Sequence, residues 1–179
     1  MLALEESKLS DNLAKLSDMP YNPQRELIAR AIVILNGALL VNQSHNKNTN
    51  EDYCALPGGH VEPKESCIEA LHREFCEELD VELQVDDMCF VSESIYPGRR
   101  REDSIRHEVV LYFNATPSGP LQESDGVVFS PEAKKNFRWL PLTELPGTNL
   151  LPVAIKEFLM NRESSSESLR YAFEDSTGA

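Results

Sequence analysis

The feature of this sequence that most constrains its fold is a glycine pair followed by a well-defined helix start. Residues 59–81 read GHVEPKESCIEALHREFCEELDV and come directly after Gly58. Ser66 and Glu69 have the spacing of a capping box, which predicts a helix that begins after Ser66. Apolar residues then recur at helical spacing, so we expect one side of this helix to be buried. These apolar residues are Ile68, Leu71, Phe75 and Leu79.

Three carboxylates lie close together on the adjoining side of the same predicted helix, at Glu74, Glu77 and Glu78. Residues three and four positions apart are neighbours on a helix, so these like charges repel one another. A hard divalent cation among them would remove the repulsion, since Mg²⁺ prefers carboxylate oxygens. Hydrolysis of a phosphate anhydride needs such charge neutralisation, and the cluster therefore favours a metal-dependent hydrolase. A solvated acidic helix face is the alternative interpretation.

The composition of the chain is that of an ordinary globular protein and argues against two classes of partner. The chain has 179 residues, of which 41% are apolar and 26% are charged, which predicts one main domain. Its formal net charge of −13 argues against a general nucleic-acid binder, because such proteins usually present a basic face. The sequence has no signal-peptide pattern and no apolar run of the roughly 18 residues that a membrane span needs. We therefore expect no membrane association.

The cysteines favour a cytoplasmic location. They are Cys54, Cys67, Cys76 and Cys89, and no two of them form a C-x-x-C pair. No histidine lies at zinc-finger spacing from them either. Thiols of this kind stay reduced in the cytosol. We therefore expect reduced, half-buried thiols in a cytoplasmic protein.

The rest of the chain predicts strands around this motif and a helix near each end. Asn36-Gly37 lies between two apolar runs, 28–35 and 38–43, and predicts a hairpin. Helical spacing of leucines predicts an amphipathic helix over 5–17, which would pack on the domain or on a partner subunit, so a homodimer is one expected state. From Arg162 the chain is rich in Ser and Glu, which predicts a flexible tail. Further strands are expected at 53–56, 81–85, 88–96, 107–115 and 136–142, and a helix at 151–160.

The spacing of the glycine, glutamates and arginine in 59–81 resembles the Nudix box, G-x5-E-x7-R-E-U-x-E-E-x-G-U, in which U is apolar. Six of the seven fixed positions match, and both apolar positions match. Asp80 stands where the family has glycine. A left-handed residue suits that end of the helix, and Asp adopts this conformation more readily than most residues. We therefore expect a small cost in stability and no loss of chemistry.

The resemblance covers roughly residues 27–160 and implies an α/β fold, a Nudix-type α/β/α sandwich around a mixed β-sheet. The expected organisation is an N-terminal helical arm (1–22), a Nudix hydrolase domain (23–161) and a polar, flexible tail (162–179). The family cleaves a nucleoside diphosphate linked to a second moiety by attack of water on phosphorus. The expected cofactor is therefore Mg²⁺ or Mn²⁺, and the expected partner is a small nucleotide-derived substrate.

The resemblance also assigns expected roles to residues in and beside the box. Arg73 would hold the glutamates in place by charge-assisted hydrogen bonds. Glu65 would support the junction between loop and helix, and would reach the metal site through water. The expected metal ligands are the carbonyl of Gly58 and the carboxylates of Glu74, Glu77 and Glu78, and these three glutamates are also expected to be catalytic.

Residues outside the box are expected to contact the substrate or to supply a base. Arg99 and Arg100 belong to a basic run in an acidic chain and predict a phosphate clamp, because the guanidinium fork suits phosphate oxygens. An exposed loop is the alternative there. Arg30, on the first predicted strand, is expected to face the same pocket, and Glu123 is also predicted as a substrate contact. Candidates for a base or a further metal ligand are Glu108, Glu123, Asp125 and Glu132, each with plain surface exposure as its alternative.

Two features give competing indications of the substrate. Pro97 lies 16 residues beyond Val81, and relatives that cleave ADP-ribose tend to carry a proline near that position. Tyr96, beside it, resembles a tyrosine of dinucleoside polyphosphate hydrolases. We favour ADP-ribose or another nucleoside diphosphate sugar. The alternatives are a nucleoside triphosphate or dinucleoside polyphosphate pyrophosphohydrolase, a nucleotide-binding module that has lost catalysis, and an RNA end-processing enzyme, which the acidic charge disfavours.

Overall fold

Eleven strands and two α-helices make up the part of the chain that the structure describes. The computed structural model describes residues 25–47, 49–97, 105–162 and 169–175. The strands are β1 (Glu26–Ile32), β2 (Ile34–Leu35), β3 (Ala38–Asn46), β4 (Glu51–Ala55), β5 (Gly58–His60), β6 (Leu83–Pro97), β7 (Ile105–Pro117), β8 (Glu123–Ser124), β9 (Val127–Val128), β10 (Phe137–Pro141) and β11 (Arg170–Asp175). The helices are α1 (Cys67–Leu79), α2 (Val153–Met160) and a 3₁₀ helix over Leu142–Gly147. Within the described ranges, each helix is too short or too polar to cross a membrane.

The strands pair in two sheets. The first has the order β11–β6–β7–β1–β5, in which β1 runs parallel to β7 and β11 runs parallel to β6. Its other neighbours, β6 with β7 and β1 with β5, are antiparallel. The second sheet has the order β2–β3–β10–β9–β8, and β4 also pairs with β3. The first sheet is therefore mixed, as the resemblance predicted.

Helices cover both faces of these strands, which gives the predicted α/β/α sandwich. Successive side chains of a strand point to opposite faces. On β1, Ile28 and Ile32 belong to a buried cluster that includes Phe158 of α2, whereas Ala29 belongs to a second cluster that includes Phe75 of α1. The predicted fold class is confirmed.

The predicted Asn36-Gly37 turn is present, but the hairpin that it closes is short. Asn36 has φ 50° and Gly37 has φ 76°, the left-handed conformations that a two-residue hairpin turn requires. β2 contributes two residue pairs across the turn with β3, and the Val33 carbonyl accepts one further hydrogen bond from the Leu40 N–H at 2.9 Å. The chain before Val33 crosses into the other sheet, where β1 pairs with β7 instead. The single strand predicted over 28–35 is therefore divided between two sheets.

Two further predictions about strands differ from the structure. The strands predicted at 81–85 and 88–96 are one strand, β6, whose pairing register shifts between Val85 and Phe90. The flexible tail predicted from 162 is wrong for 170–175, because these residues form β11 along the edge of β6. Ala172 packs against the core there. The predicted N-terminal helix lies outside the described residues.

Candidate active site and metal centre

The glycine pair allows α1 and β1 to approach the turn closely. Gly58 has φ 117°, and a Cβ atom at this position would lie 2.3 Å from the carbonyl oxygen of Ala29. A Cβ atom at Gly59 would lie 2.1 Å from Oε1 of Glu74. Only glycine fits at Gly58, where the obstacle is main chain and φ is positive, whereas a side chain at Gly59 would have to displace the Glu74 carboxylate. The turn therefore places the Glu74 carboxylate directly against the main chain of β5.

The capping contacts of α1 are those that the sequence predicted. Ser66 Oγ accepts a hydrogen bond from the Glu69 main-chain N–H at 3.2 Å, and Glu69 Oε2 accepts one from the Ser66 N–H at 2.7 Å. Asp80 ends the helix with φ 51° and ψ 41°, the predicted left-handed conformation. These local contacts fix where the helix begins and ends, and hence the direction of its carboxylates.

The buried side of α1 differs from the predicted stripe at two positions. Leu71, Phe75 and Leu79 are buried as expected, but Ile68 is 45% exposed. Glu78, which was expected on an adjoining exposed side, is only 2% exposed. One of the carboxylates therefore lies at the edge of the core rather than in solvent.

Arg73 connects the carboxylates of α1 with the loop before it. Its Nη2 donates to Glu65 Oε1 at 2.8 Å and to the His60 carbonyl at 3.1 Å. Its Nη1 donates to Glu74 Oε1 at 2.9 Å and makes a longer contact of 3.4 Å with Glu77 Oε2. The hydrogen bond from Arg73 lowers the pKa of Glu65, which also accepts from a main-chain N–H in the loop. Arg73 therefore has the contacts of the positioning residue that the resemblance assigned, while its catalytic role stays a prediction.

The expected metal ligands are each paired with a cation of the protein. Glu74 pairs with Arg73, and Glu78 pairs with Lys135. The Gly58 carbonyl accepts a hydrogen bond from Arg30 Nη1, which also donates to the Leu56 carbonyl at 3.0 Å. Among the described residues, no three His, Cys, Asp or Glu side chains converge closely enough to form a metal site in this arrangement.

The donor set nevertheless fits a hard divalent cation. Burial raises the pKa of Glu78 to about 7, against the opposing effect of Lys135, and the nearby charge of Glu74 raises it further. Two neighbouring ionised carboxylates, such as Glu74 and the buried Glu78, destabilise the protein unless a cation lies between them. Oxygen donors of this kind are the ligands that Mg²⁺ and Mn²⁺ prefer. Glu74, Glu77 and Glu78 would hold such a cation.

A cavity of about 710 Å³ opens beside Glu74, the one of the three glutamates expected as metal ligands that lines it. One end is lined by the glycine pair with Arg30, Arg73 and Glu74, and Lys135 also reaches it. The floor is the face of the first sheet that carries Ile28 and Tyr112. The cavity thus lies along the sheet and begins at Arg73 and Glu74 of α1.

The far end of the cavity is polar and is built from several strands. Glu174 on β11 lies opposite Ser94 on β6, and Ser94 lies opposite Glu108 on β7. All three residues line the cavity. The Tyr96 hydroxyl donates to Glu108, and Arg106 forms an ion pair with Glu26. Glu108 and Glu174 therefore share this end of the described cavity with Arg106, whose charge is paired with Glu26 and lies 3.9 Å from Glu108.

The structure brings some of the other predicted residues to the cavity and not others. Arg30 and Glu108 line it. Glu123 does not: it lies on β8, where its carboxylate accepts a hydrogen bond from the Trp139 indole, so its position does not support substrate contact. Asp125 and Glu132 are exposed in the segments around β9. Arg99 and Arg100 lie outside the described residues.

The cavity residues that were not predicted from the sequence include Arg106, Lys135 and Glu174. Lys135 lies in a polar segment before β10, where nothing local distinguishes it from Lys134. Glu174 lies in the segment that was expected to be a flexible tail. The alternation of RYAFED was the available signal for a strand there, and its Ser-rich surroundings concealed it.

Comparisons with known proteins agree with the fold and identify the family. The family model of the NUDIX domain matches residues 25–160. The fold is similar to that of a MutT protein from Bacillus halodurans, at 17% identity and a TM-score of 0.61, covering 86% of this chain and 93% of that one. It is also similar to the E. coli ORF135 protein, at 22% identity and a TM-score of 0.57, covering 84% and 96%. An ADP-ribose pyrophosphatase from Streptococcus suis is similar at 17% identity and a TM-score of 0.50, covering 83% and 100%. At these identities the solved structures show the fold alone.

Proposed function

The chain belongs to the NUDIX domain family and is a Nudix hydrolase, and from this premise we propose that it cleaves the phosphate anhydride bond of a nucleoside diphosphate linked to a sugar. ADP-ribose is the first candidate substrate, and Mg²⁺ or Mn²⁺ is the proposed cofactor. The observation that carries this proposal is the contrast within one cavity, which has Glu74 of α1 with Arg73 and the glycine pair at one end and a row of hydrogen-bond acceptors at the other.

The carboxylate end suits the reacting diphosphate. A bound divalent cation supplies polarisation of the phosphoryl oxygens and a more acidic water. Arg73 fixes the carboxylates through its contacts with Glu65 and Glu74. Arg30 places a guanidinium at the cavity wall, where its planar fork suits phosphate oxygens. In this proposal the protein contributes positioning and charge, which phosphoryl transfer chiefly requires.

The far end suits the hydroxyl groups of a sugar. An ionised carboxylate accepts hydrogen bonds and cannot donate them. Glu108 and Glu174 line this end of the cavity, so they favour a ligand that carries hydrogen-bond donors. A further phosphate group of the substrate at this end would approach carboxylates of the same charge. Such repulsion costs several kcal/mol when it is poorly screened, so a substrate with an additional phosphate there is disfavoured. The volume of about 710 Å³ is within the range of small-molecule sites. The S. suis relative carries the name of an ADP-ribose pyrophosphatase, which agrees with this choice.

A panel of substrates with product identification tests the proposal. Nucleoside diphosphate sugars, dinucleoside polyphosphates and nucleoside triphosphates are each incubated with the protein and Mg²⁺ or Mn²⁺. We expect the highest kcat/KM for a nucleoside diphosphate sugar, with AMP and ribose 5-phosphate as products from ADP-ribose. Preferential release of pyrophosphate from triphosphates would contradict the proposed substrate class. Tight binding without turnover would instead indicate a silent nucleotide-binding module.

Location and assembly are further parts of the proposal. Cys54, Cys67, Cys76 and Cys89 are all free thiols, which agrees with a reducing, cytoplasmic environment. A homodimer assembled through the N-terminal arm stays a prediction. Light scattering on the full chain and on a variant that lacks residues 1–22 tests it, since only the full chain should then have twice the monomer mass.

A further inference from the structure

One carboxylate of α1 has a lysine from another part of the chain as its partner. Glu78 is the only Asp or Glu that is buried among the described residues, at 2% exposure. Lys135 Nζ forms an ion pair with Glu78 Oε1, and the Lys135 side chain is 27% exposed. Lys135 also lines the cavity. The pair therefore joins a buried position on α1 to the open space in which the substrate is proposed to bind.

The surroundings of Glu78 explain why it needs a counter-ion. The charged groups that act on it are Lys135, Glu74 on the preceding turn and Arg30 on β1. A buried carboxylate that loses its only close cation is strongly destabilising. Arg30 is held by the carbonyls of Leu56 and Gly58, so the Lys135 ammonium is the close partner. Without a metal ion, Lys135 thus supplies the positive charge that Glu78 requires.

A divalent cation and the lysine ammonium would compete for the same carboxylate. Like charges that approach the same oxygen atoms repel one another strongly in a partly buried site. We propose that Lys135 is an exchangeable counter-ion of Glu78, which neutralises this carboxylate while no divalent cation is bound and is displaced when one binds. The inference rests on the proposed function, in which Glu78 is a ligand of the cation.

The displaced lysine remains useful to the enzyme. Its side chain is a flexible four-carbon stem with a compact charge, and it already lies at the cavity wall. Once released from Glu78, the ammonium is free to turn towards the phosphate oxygens of the substrate. Occupation of the metal site and binding of the diphosphate are then linked through one residue, and such linkage is reciprocal.

Direct measurement of Mn²⁺ binding tests the exchange without any turnover. Free Mn²⁺ is measured by electron paramagnetic resonance during titration of the full chain, for the unsubstituted protein and for Lys135→Met and Lys134→Met. Lys134 is the matched control, because it is adjacent and exposed. We expect Lys135→Met to bind Mn²⁺ about tenfold more tightly, within the usual range of coupling between sites. Lys134→Met should bind as the unsubstituted protein does.

Thermal unfolding in EDTA provides a second readout. Lys135→Met should lower the Tm, because Glu78 then has no close cation, and added Mn²⁺ should raise the Tm more than it does in the unsubstituted protein. Lys135→Arg keeps the charge and should behave nearly as the unsubstituted protein in both measurements. The tighter Mn²⁺ binding of Lys135→Met should persist in 0.5 M salt, since a direct contact is screened much less than a distant charge.

Each result decides for or against the exchange. Equal Mn²⁺ affinity of Lys135→Met and Lys134→Met, or weaker binding by Lys135→Met, would overturn it while leaving the proposed hydrolase intact. If the unsubstituted protein does not bind Mn²⁺ at all, the cation site of the proposed function fails and the exchange fails with it. Should Lys135→Met not fold, Lys135→Gln, which keeps a hydrogen bond to Glu78, is expected to tighten Mn²⁺ binding by a smaller factor.

Discussion

The two ends of the cavity are built in different ways. At the helix end, Arg73 and Glu74 are adjacent on α1, and Arg73 contacts Glu77 one turn further along and reaches back to Glu65 in the preceding loop. At the far end, Glu174 and Glu108 come from strands that are distant in the sequence and meet only through β6. The first arrangement follows from spacing within one segment, whereas the second depends on sheet register. We therefore expect substitutions at the helix end to affect catalysis, and substitutions at the far end to affect substrate choice.

The largest effect is expected for Glu77→Gln. This side chain is 53% exposed and makes only a long contact of 3.4 Å with Arg73, so the substitution should leave the fold intact. The removal of a charge that stabilises the transition state should lower kcat by at least about 10²-fold. The measurement is kcat on the best substrate with Mg²⁺, and Glu82→Gln, which also replaces an exposed glutamate, is the control. A near-normal kcat for Glu77→Gln would remove Glu77 from the catalytic set.

The next effect is expected for Arg73→Lys. Lysine keeps the charge, but it cannot donate to Glu65, Glu74 and the main chain of β5 at once, as the guanidinium fork does. Loss of a group that orients metal ligands typically costs about 10–100-fold in affinity or activity. We expect a fall of that size in Mn²⁺ affinity, and a smaller one for Glu65→Gln, which retains an acceptor for Arg73. Unchanged affinity in Arg73→Lys would show that positive charge alone is sufficient.

The same contrast explains which parts of the structure are predictable from the sequence. The capping box, the left-handed Asp80 and the turn at Asn36-Gly37 are all present as predicted. Each of them depends on contacts between residues a few positions apart, so local propensity and spacing are sufficient. The family's box is itself a local pattern, and for that reason the carboxylate end could be located before any strand pairing was known.

The features that were not predicted depend on contacts between distant segments. The transfer of β1 to the other sheet follows from its parallel pairing with β7. Glu78 is buried with Lys135 as its ion-pair partner, and the helical periodicity of α1 does not indicate a partner so far along the chain. β11 forms because the long strand β6 offers a free edge, and this overrides the polar composition of the tail. Tertiary context of this kind decided the composition of the far end of the cavity.

A third substitution, Glu174→Gln, tests whether that far end selects the substrate. The amide is a weaker acceptor than the carboxylate, and hydrogen bonds to charged groups contribute about 1.5–3 kcal/mol. We expect KM for the nucleoside diphosphate sugar to rise about tenfold with little change in kcat, since the contact is equal in the ground and transition states. Asp175→Asn is the control, because its side chain is exposed on the same strand and does not line the cavity. A lower kcat with constant KM would assign Glu174 to the chemistry instead.

The smallest effect is expected for Tyr171→Phe, which tests how β11 is held on β6. The Tyr171 hydroxyl donates to Glu93 Oε2 at 2.7 Å, and this bond, followed by that from His107, lowers the pKa of Glu93 below its usual 4.5. A carboxylate whose pKa is lowered by folding stabilises the protein above its unfolded pKa, and this contribution is lost as the pH falls through the folded pKa. The free energy of unfolding of Tyr171→Phe should therefore fall slightly below that of the unsubstituted protein at pH 7, and the difference should shrink below pH 4.5. Urea titrations at pH 7 and at lower pH measure it. Equal stability of the two proteins at every pH would mean that Tyr171 holds the strand by packing of its aromatic ring alone, and the far end of the cavity would then depend on the register of β11 rather than on this ionised contact.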